Sequence, residues 1–430
     1  MVGCVGTAVS FAWKAGSTVT GPSYDELVAA RETVSQIARS TPVQSSRYLE
    51  RVLGAPVWLK CENLQRTGAY KLRGAYNRLS KLNPAERERG VVAASAGNHA
   101  QGVAYAARAL GIRATIFMPV GVALPKLEAT RAYGAEVQLE GNIFAETLVA
   151  AQRFAEQSGG VFIPPYDHPD IIAGQASVGF EVLEQVPQLD TVLVPIGGGG
   201  LISGVSAALK QEAARLGRTV RVVGVQAANA APFLPSLAAG RPISVDPAAT
   251  IADGIAVYTP GALNFEMVRE YVDEIVTVSE DDLARALLIL LERAKLVVEP
   301  AGAASVAAVL SGALKAVVPD PGNTVAILSG GNIDPLLMQR VIAVGLAASK
   351  RYLNLRVFLP DRPGQLAAVA ATLTAVNANV VEVLHTRHGQ DMRVNEVELR
   401  LAIETRGPEH SELAMQALRD AGFEPKLIDS

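Results

Sequence analysis

The sequence predicts an α/β protein built on parallel, doubly wound sheet, followed by a small module of βαββαβ order. Apolar residues make up 49% of the 430 residues and charged residues 19%, which suits a large protein with a deep core. From about Ser23, short β-branched runs alternate with longer amphipathic runs, as in parallel sheets with helices between the strands. The pattern changes near Arg351, where the element order of a ferredoxin-like fold begins.

The predicted strands of the larger part lie at 57–60, 90–94, 114–118, 136–139, 191–194, 220–225 and 324–328, with helices at 98–110, 125–133, 142–158 and 281–296. In the C-terminal module, strands at 353–359, 379–387, 395–404 and one ending at Ile428 accompany helices at 364–376 and 409–421, with a turn at Gly389. We therefore expect a disordered extension over 1–22, a main domain over 23–348 with a small subdomain inserted at about 65–165, and a second domain over 351–430.

Composition and charge argue against several functional classes. The net charge is only −3 and the basic residues are scattered, so nucleic acid is not expected as a partner. No run approaches the roughly 18 apolar residues of a membrane span, so no membrane partner is expected. Two cysteines, Cys4 and Cys61, cannot build a disulfide framework, which favours a cytoplasmic protein.

Lys71 is a candidate nucleophile. It stands between Tyr70 and Leu72, just after a turn at Gly68 and at the start of a helix-forming run. Apolar neighbours disfavour the protonated amine and so make a lysine reactive toward carbonyl groups. The competing interpretation is an ordinary solvated surface lysine.

Four glycines, Gly197, Gly198, Gly199 and Gly200, follow the apolar run 191–196 and lead into a helix near Leu201. Backbone amides in such a turn can approach a ligand closely, and the helix N-terminus favours an anion. The alternative is a tight turn without a ligand. Ile202 stands where a dinucleotide fingerprint needs a glycine-like residue, so a phosphate site of another kind is favoured.

Two more strand ends carry polar residues. Ser95, Ala96, Gly97, Asn98 and His99 follow the strand at 90–94, where they either bind a carboxylate or ring hydroxyl or simply cap a helix. Ser329 follows the strand at 324–328, again at a carboxyl edge, where open parallel sheets bind ligands. A reactive lysine, a phosphate site and a strand-end serine together meet the needs of pyridoxal phosphate.

Residues 23–350 resemble the threonine ammonia-lyases (threonine dehydratases) and serine racemases of the tryptophan-synthase-β fold group. The resemblance rests on the segment QRTGAYKLRGA at 65–75 and on 95–101, 172–175, 197–200, 252–254, 299–302 and 328–332, which recur in the same order. The C-terminal module, with DRPGQL at 361–366, resembles an ACT domain, which often binds amino acids. The resemblance implies pyridoxal phosphate fold type II, with pyridoxal phosphate as the cofactor.

The resemblance also implies a role for each candidate residue. Lys71 would hold the cofactor as a Schiff base and remove the substrate α-proton, with the Tyr70 ring packed nearby. The remaining cofactor contacts would come from Asn98 to the 3′-oxygen, from Gly197, Gly198, Gly199, Gly200 and Leu201 to the phosphate, and from Ser329 to the pyridine nitrogen. The amides of Ser95, Ala96, Gly97, Asn98 and His99 would bind the substrate carboxylate. The implied reaction is β-elimination of threonine, and of serine, to a 2-oxoacid and ammonia.

Several other functions are possible for a protein of this fold group. Racemases of the family need a serine as second acid/base where this chain has Ala96, so racemase activity is disfavoured. Some relatives bind a divalent cation through carboxylates after the strand ending at Val225, but 226–232 contains none, so no metal is predicted. His385 and His388 are not expected to be metal ligands either. Sulfhydrylases and threonine synthases share the fold and the lysine, and a sulfhydrylase typically follows that lysine with Asp-Arg. A non-catalytic amino-acid sensor is the alternative from another class.

The ACT resemblance adds expectations about regulation and assembly. ACT modules commonly bind effectors between paired domains, so we expect a homotetramer or homodimer. The loop 361–366 is a candidate effector contact, because Gly364 permits close backbone approach. Inhibition by isoleucine or valine, as in isoleucine biosynthesis, and a purely structural ACT module are both left open.

Overall fold

The computed structural model describes residues 9–10, 21–348, 351–387 and 393–428. Their strands are β1 (Val9–Ser10), β2 (Val43–Ser45), β3 (Val57–Cys61), β4 (Val91–Ala94), β5 (Ala114–Met118), β6 (Glu136–Leu139), β7 (Val161–Phe162), β8 (Thr191–Pro195), β9 (Arg221–Ala227), β10 (Glu274–Val278), β11 (Thr324–Leu328), β12 (Tyr352–Pro360), β13 (Asn379–Thr386), β14 (Glu396–Glu404) and β15 (Lys426–Leu427).

The α-helices are α1 (Tyr24–Ser35), α2 (Arg47–Leu53), α3 (Lys71–Ser80), α4 (Pro84–Arg89), α5 (Asn98–Ala109), α6 (Leu124–Ala132), α7 (Phe144–Ser158), α8 (Pro169–Gln185), α9 (Gly200–Arg215), α10 (Phe233–Ala239), α11 (Ala262–Tyr271), α12 (Glu280–Ile289), α13 (Pro300–Leu310), α14 (Ala313–Val317), α15 (Pro335–Ala348), α16 (Gln365–Ala375) and α17 (Pro408–Asp420). The chain forms two compact units, one ending at Asp334 and one beginning at Pro335, so α15 belongs to the second. The domain limits at 348 and 351 remain a sequence prediction.

The larger sheet of the first unit has the strand order β1–β10–β9–β8–β11–β3–β2. The five strands from β10 to β3 are parallel to one another, whereas β1 and β2 join the two edges antiparallel. Strands β8 and β11 are buried along their whole length, which explains their continuous apolar sequence, since a parallel sheet is covered on both faces. The predicted α/β class is confirmed, with antiparallel edges added.

Strand β1 lies within the segment 1–22 that the sequence predicts to be a disordered extension. Val9 pairs with Ile275 and Ser10 with Glu274 of β10. An edge strand leaves backbone N–H and C=O groups open, so even a two-residue segment can pair with it. For these two residues the structure departs from the prediction; 1–8 and 11–20 lie outside the described residues.

The smaller sheet of the first unit has the order β6–β5–β4–β7 and is parallel throughout. All four of its strands lie between β3 and β8 in the chain. Its own apolar core packs α3 and α5 against β4 and β5. The limits of about 65–165 for the inserted subdomain remain a prediction.

The helix predicted at 281–296 is interrupted. After α12, residues Leu290–Ala294 form one π-helical turn, and Lys295 adopts a left-handed conformation with φ of 60°. A π turn widens the helix by one residue and is frequent near functional sites. Here the helix ends at Ala294, and an irregular segment leads to Glu299, which precedes α13.

The second unit contains an antiparallel sheet of order β13–β14–β12–β15, with α16 and α17 packed on one face. Its element order is the predicted βαββαβ, which is confirmed. Gly389 and His388 lie outside the described residues. No helix in the described part of the chain is long and apolar enough to cross a membrane.

Candidate active site

Lys71 opens α3, at the carboxyl side of the larger sheet. Lys71 is half-buried as a residue, and its Nζ donates a hydrogen bond of 2.8 Å to the carbonyl oxygen of Pro165 and lies 5.3 Å from the centre of the Tyr70 ring. Desolvation lowers the pKa of the Lys71 amine from 10.5 to about 8, although the negative charge of Glu299 opposes this. A sizeable fraction of the amine is therefore neutral near physiological pH, as a nucleophile requires.

The start of α3 is anchored by Arg73, which is fully buried. Its guanidinium donates to both carboxylate oxygens of Glu62 at 2.8 Å and to those of Glu181 at 2.6 and 2.9 Å. Lys60 donates to Glu181 as well, at 2.6 Å. Two buried cations thus face two carboxylates in one closed network, which fixes the first turn of α3 against β3 and α8.

The four glycines form the turn between β8 and α9, as predicted. Gly199 has a φ of 100°, a left-handed conformation that side-chain-bearing residues rarely adopt. A Cβ on Gly198 would lie 2.5 Å from the ring of Tyr166, and one on Gly199 would lie 2.7 Å from Cβ of Asn264. The loop has no room for side chains, so only its backbone amides are available to a ligand. It stands at the N-terminus of a 16-residue helix, in which Leu201 is buried.

A short segment after β7 brings Lys71 and the glycine turn together. Pro165 accepts the hydrogen bond from Lys71, while the next residue, Tyr166, packs its ring on Gly198. Asp167 then accepts hydrogen bonds from three backbone N–H groups at the start of α11, which holds the segment in place. The sequence prediction missed this segment, because no local motif marks it.

The predicted loop from Ser95 to His99 lies between β4 and α5. Ser95 Oγ accepts a 3.1 Å hydrogen bond from the Gly97 amide, and α5 begins at Asn98. Helix α5 approaches Lys71 closely, since a Cβ on Gly102 would lie 3.0 Å from the carbonyl carbon of Lys71. The helix that follows the loop is therefore packed against the first residue of α3, and Ala96 in the loop has only a methyl side chain.

The imidazole of His99 forms a hydrogen bond with the protein backbone outside this loop. Its Nε2–H donates to the carbonyl oxygen of Ile163 at 3.0 Å, and the residue is buried. Burial, together with the positive charge of Lys71, lowers the pKa of His99 to about 3. The ring is therefore neutral, and it offers no positive charge to a carboxylate.

Ser329 follows β11 directly and is 4% exposed. Its carbonyl oxygen accepts a 3.2 Å hydrogen bond from the Tyr70 amide, and Ala69 pairs with Gly330 in an isolated bridge. These contacts place the end of β11 beside the residue that precedes Lys71. The four predicted groups, Lys71, the glycine turn, the Asn98 loop and Ser329, thus converge at the carboxyl edge of the two sheets.

Asn98 belongs to a chain of side chains that the sequence prediction did not foresee. Its Oδ1 accepts from Asn332 Nδ2 at 2.8 Å, and its Nδ2 donates to Glu299 Oε1 at 2.6 Å. Asn332 Nδ2 also donates to the Thr67 carbonyl oxygen at 2.7 Å. Burial, with the nearby charge of Asp253, raises the pKa of Glu299 to about 7. The Glu-Pro-Ala-Gly motif at 299–302 was visible in the sequence, but nothing in it assigned Glu299 to the site.

These groups fit a bound pyridoxal phosphate. A desolvated lysine amine can bond to an aldehyde, and glycine amides at a helix N-terminus suit a dianionic phosphate. Buried Ser329 and half-buried Asn98 are neutral polar groups for the ring. The site thus has the donor set of a pyridoxal-phosphate dependent enzyme. Within the described residues, no group of three or more His, Cys, Asp or Glu side chains is arranged to hold a metal ion.

Comparison with known proteins supports this class. Residues 34–330 match the family described as pyridoxal-phosphate dependent enzyme, and residues 354–423 match the ACT domain. The chain is 44% identical to an L-threonine ammonia-lyase of Thermotoga maritima over 94% of its own length and 99% of the relative. An L-threonine ammonia-lyase of Geobacter sulfurreducens is 42% identical, over 94% of this chain and 98% of the relative.

Solved structures agree. The processed form of threonine deaminase isoform 2 from Solanum lycopersicum superposes with a TM-score of 0.70 at 34% identity, covering 78% of this chain and 92% of that one. Maize serine racemase gives the same TM-score and identity, over 75% of this chain and 97% of its own. The chain therefore belongs to the threonine ammonia-lyase family of pyridoxal-phosphate dependent enzymes and carries a C-terminal ACT domain.

Proposed function

We propose that this protein deaminates L-threonine to 2-oxobutanoate and ammonia by β-elimination, and L-serine to pyruvate and ammonia. The observation that carries the proposal is the position of Lys71, whose amine is hydrogen-bonded to Pro165 beside a glycine turn suited to phosphate. The relatives named L-threonine ammonia-lyase, which align over nearly the whole chain, support threonine as the main substrate.

Pyridoxal phosphate, when bound, supplies an electron sink for the negative charge that develops at the substrate α-carbon. We assign its phosphate to the amides of Gly197, Gly198, Gly199, Gly200 and Leu201. Asn98 and Ser329 serve its 3′-oxygen and ring nitrogen, and Tyr70 packs nearby. The loop of Ser95, Ala96, Gly97, Asn98 and His99 binds the substrate carboxylate through backbone amides.

Within this arrangement Lys71 has two tasks. Its neutral amine would hold the cofactor, and when it is not bonded to the cofactor its Nζ would take the proton from the substrate α-carbon. A racemase needs a second proton-carrying group at the loop position that Ala96 fills with a methyl group. Loss of the β-hydroxyl group is therefore favoured over return of the proton from the other face.

The test is 2-oxoacid release from L-threonine and L-serine, with Lys71→Ala as the inactive comparison. We expect release from both substrates by the wild type, a loss of at least about 10³-fold in the variant, and no D-serine from L-serine. Undiminished turnover by Lys71→Ala would overturn the mechanism. The assignment of the cofactor would be overturned if the protein released 2-oxoacid but showed no visible cofactor absorbance that borohydride treatment removes.

For the ACT domain we propose that it regulates the same reaction by binding a branched-chain amino acid, as an enzyme of isoleucine biosynthesis would need. We also propose that the protein is a cytoplasmic homo-oligomer. The loop 361–366 is the candidate effector contact, because Gly364, with a φ of 92°, caps the N-terminus of α16 and has no side chain to block a ligand. Saturating isoleucine or valine should raise the threonine KM. Equal kinetics with and without both amino acids would instead leave the ACT domain with a structural role.

A further inference from the structure

We propose that Glu299 is a positioning residue of the reaction: its carboxyl group fixes the Asn98 amide, and gain or loss of a proton from solvent at that carboxyl group changes how Asn98 is held. This inference rests on the proposed function, since it concerns how the same site is organised. It adds a titrating group at the N-cap of α13, an element that none of the predicted site residues occupies.

The orientation of Asn98 follows from its neighbours. Asn332 Nδ2 is a donor, and it is held by the Thr67 carbonyl oxygen at 2.7 Å, so the Asn98 atom that meets it at 2.8 Å is the acceptor Oδ1. The Nδ2 of Asn98 therefore faces Glu299, at 2.6 Å. One N–H is used there and the second is left for the cofactor. An ionised carboxylate only accepts hydrogen bonds, so it admits no other orientation of the amide.

The fold makes room for this carboxyl group. Glu299 is 5% exposed, and its own amide donates to the Gly330 carbonyl oxygen at 3.0 Å. A Cβ on Gly330 would overlap Glu299 Oε1 and would lie 3.0 Å from Asn98 Nδ2, so a glycine is required beside the pair. Among the described residues no Lys, Arg or His nitrogen forms an ion pair with Glu299. A buried carboxyl group without a cation is expensive to keep charged, and such groups are concentrated at functional sites.

The charges facing Glu299 come from three directions. Asp253, on the 3-10 turn Asp253–Ile255, repels the ionised form and favours protonation. Lys126 on α6 and Lys71 on α3 attract the ionised form. Tyr70 responds in turn, because the charge of Glu299 helps to raise the pKa of its phenol. Lys126 and Asp253 also form a 2.7 Å ion pair with each other, so removing one of them strengthens the effect of the other on Glu299.

The experiment titrates the holoenzyme across about pH 5 to 9, two units on either side of neutrality. Three readouts are followed: kcat/KM for L-threonine, the visible absorbance of the cofactor, and the infrared carbonyl band of a protonated carboxyl group. The variants are Glu299→Gln, Asp253→Asn and Lys126→Gln, with the exposed Glu128→Gln on α6 as the matched control. The two neighbour variants keep Glu299 in place, so the proposal can be tested even if Glu299→Gln folds poorly.

We expect a titration component near pH 7 in the wild type and in Glu128→Gln, and its loss in Glu299→Gln. Asp253→Asn should move that component to lower pH and Lys126→Gln to higher pH, each by about 0.5 to 1 unit, the size expected for one partly screened charge. The proposal is overturned if Glu299→Gln keeps the component, or if neither neighbour variant moves it. Both failures would leave threonine deamination by the wild type intact, so they are distinct from failure of the proposed function.

Discussion

Replacing Glu299 by Gln should make the cofactor-free protein more stable at alkaline pH, although it alters a residue in the site. Glu299 is buried, and its pKa rises from 4.5 to about 7 on folding. Between these values the folded state binds more protons than the unfolded state. The stability associated with this group is thus fully present below pH 4.5 and is lost as the pH rises through about 7.

The structure sets the size of the effect. Moving a pKa from 4.5 to about 7 corresponds to about 3 kcal/mol of unfavourable free energy for the ionised form at pH 8. Glutamine has the same shape and no charge, so it removes this cost. The pKa of about 7 already includes the favourable effect of the 2.6 Å hydrogen bond from Asn98 on the ionised form. The net expectation is therefore a gain of about 3 kcal/mol at pH 8 and almost none below pH 4.5.

Urea unfolding of the cofactor-free protein, followed by circular dichroism from about pH 4.5 to 8, measures this difference. The exposed Glu128→Gln should differ from wild type by the same small amount at every pH. A Glu299→Gln difference that stays constant over this range, or that becomes less favourable toward pH 8, would refute the reasoning. It would mean that Glu299 is ionised without penalty in the folded protein.

Three other predictions follow from the site. Labelling of Lys71 by an amine-reactive reagent in the cofactor-free protein should rise with a midpoint near pH 8, which peptide mass spectrometry can follow; a midpoint near 10.5 would contradict a desolvated amine. Gly198→Ala should weaken cofactor affinity by about 10-fold or more, because its Cβ would lie 2.5 Å from a tyrosine ring, whereas Gly121→Ala, with open space, should not, as an absorbance titration would show. Arg73→Met should destabilise the protein by about 3 to 5 kcal/mol, because it leaves the buried Glu62 carboxylate without its cation. The matched Arg31→Met breaks an exposed ion pair and should cost less than about 1 kcal/mol in the same unfolding assay.

The sheets and their functional ends could be predicted because both leave local marks. A buried parallel strand such as β11 is a continuous apolar run, and the glycines after β8 mark a turn that side chains would block. The contacts that complete the site leave no such mark. Glu299 meets Asn98 across 201 residues, and Pro165 meets Lys71 across 94. The π turn at Leu290–Ala294 was missed for a related reason, since its sequence continues the apolar period of α12.

The pKa values of the site narrow the chemistry that it can perform. Burial lowers the pKa of His99 to about 3 and raises that of Tyr70, so neither exchanges a proton near neutral pH. The pKa of Lys71 is lowered to about 8, whereas the pKa of Glu299 is raised to about 7. Among the described site residues, these two have pKa values near neutral pH. Groups whose pKa values are shifted by their environments in this way are the ones that carry acid and base roles. Since Ala96 has no group that can carry a proton, we propose that proton removal from the substrate falls to Lys71, which would favour elimination over racemisation.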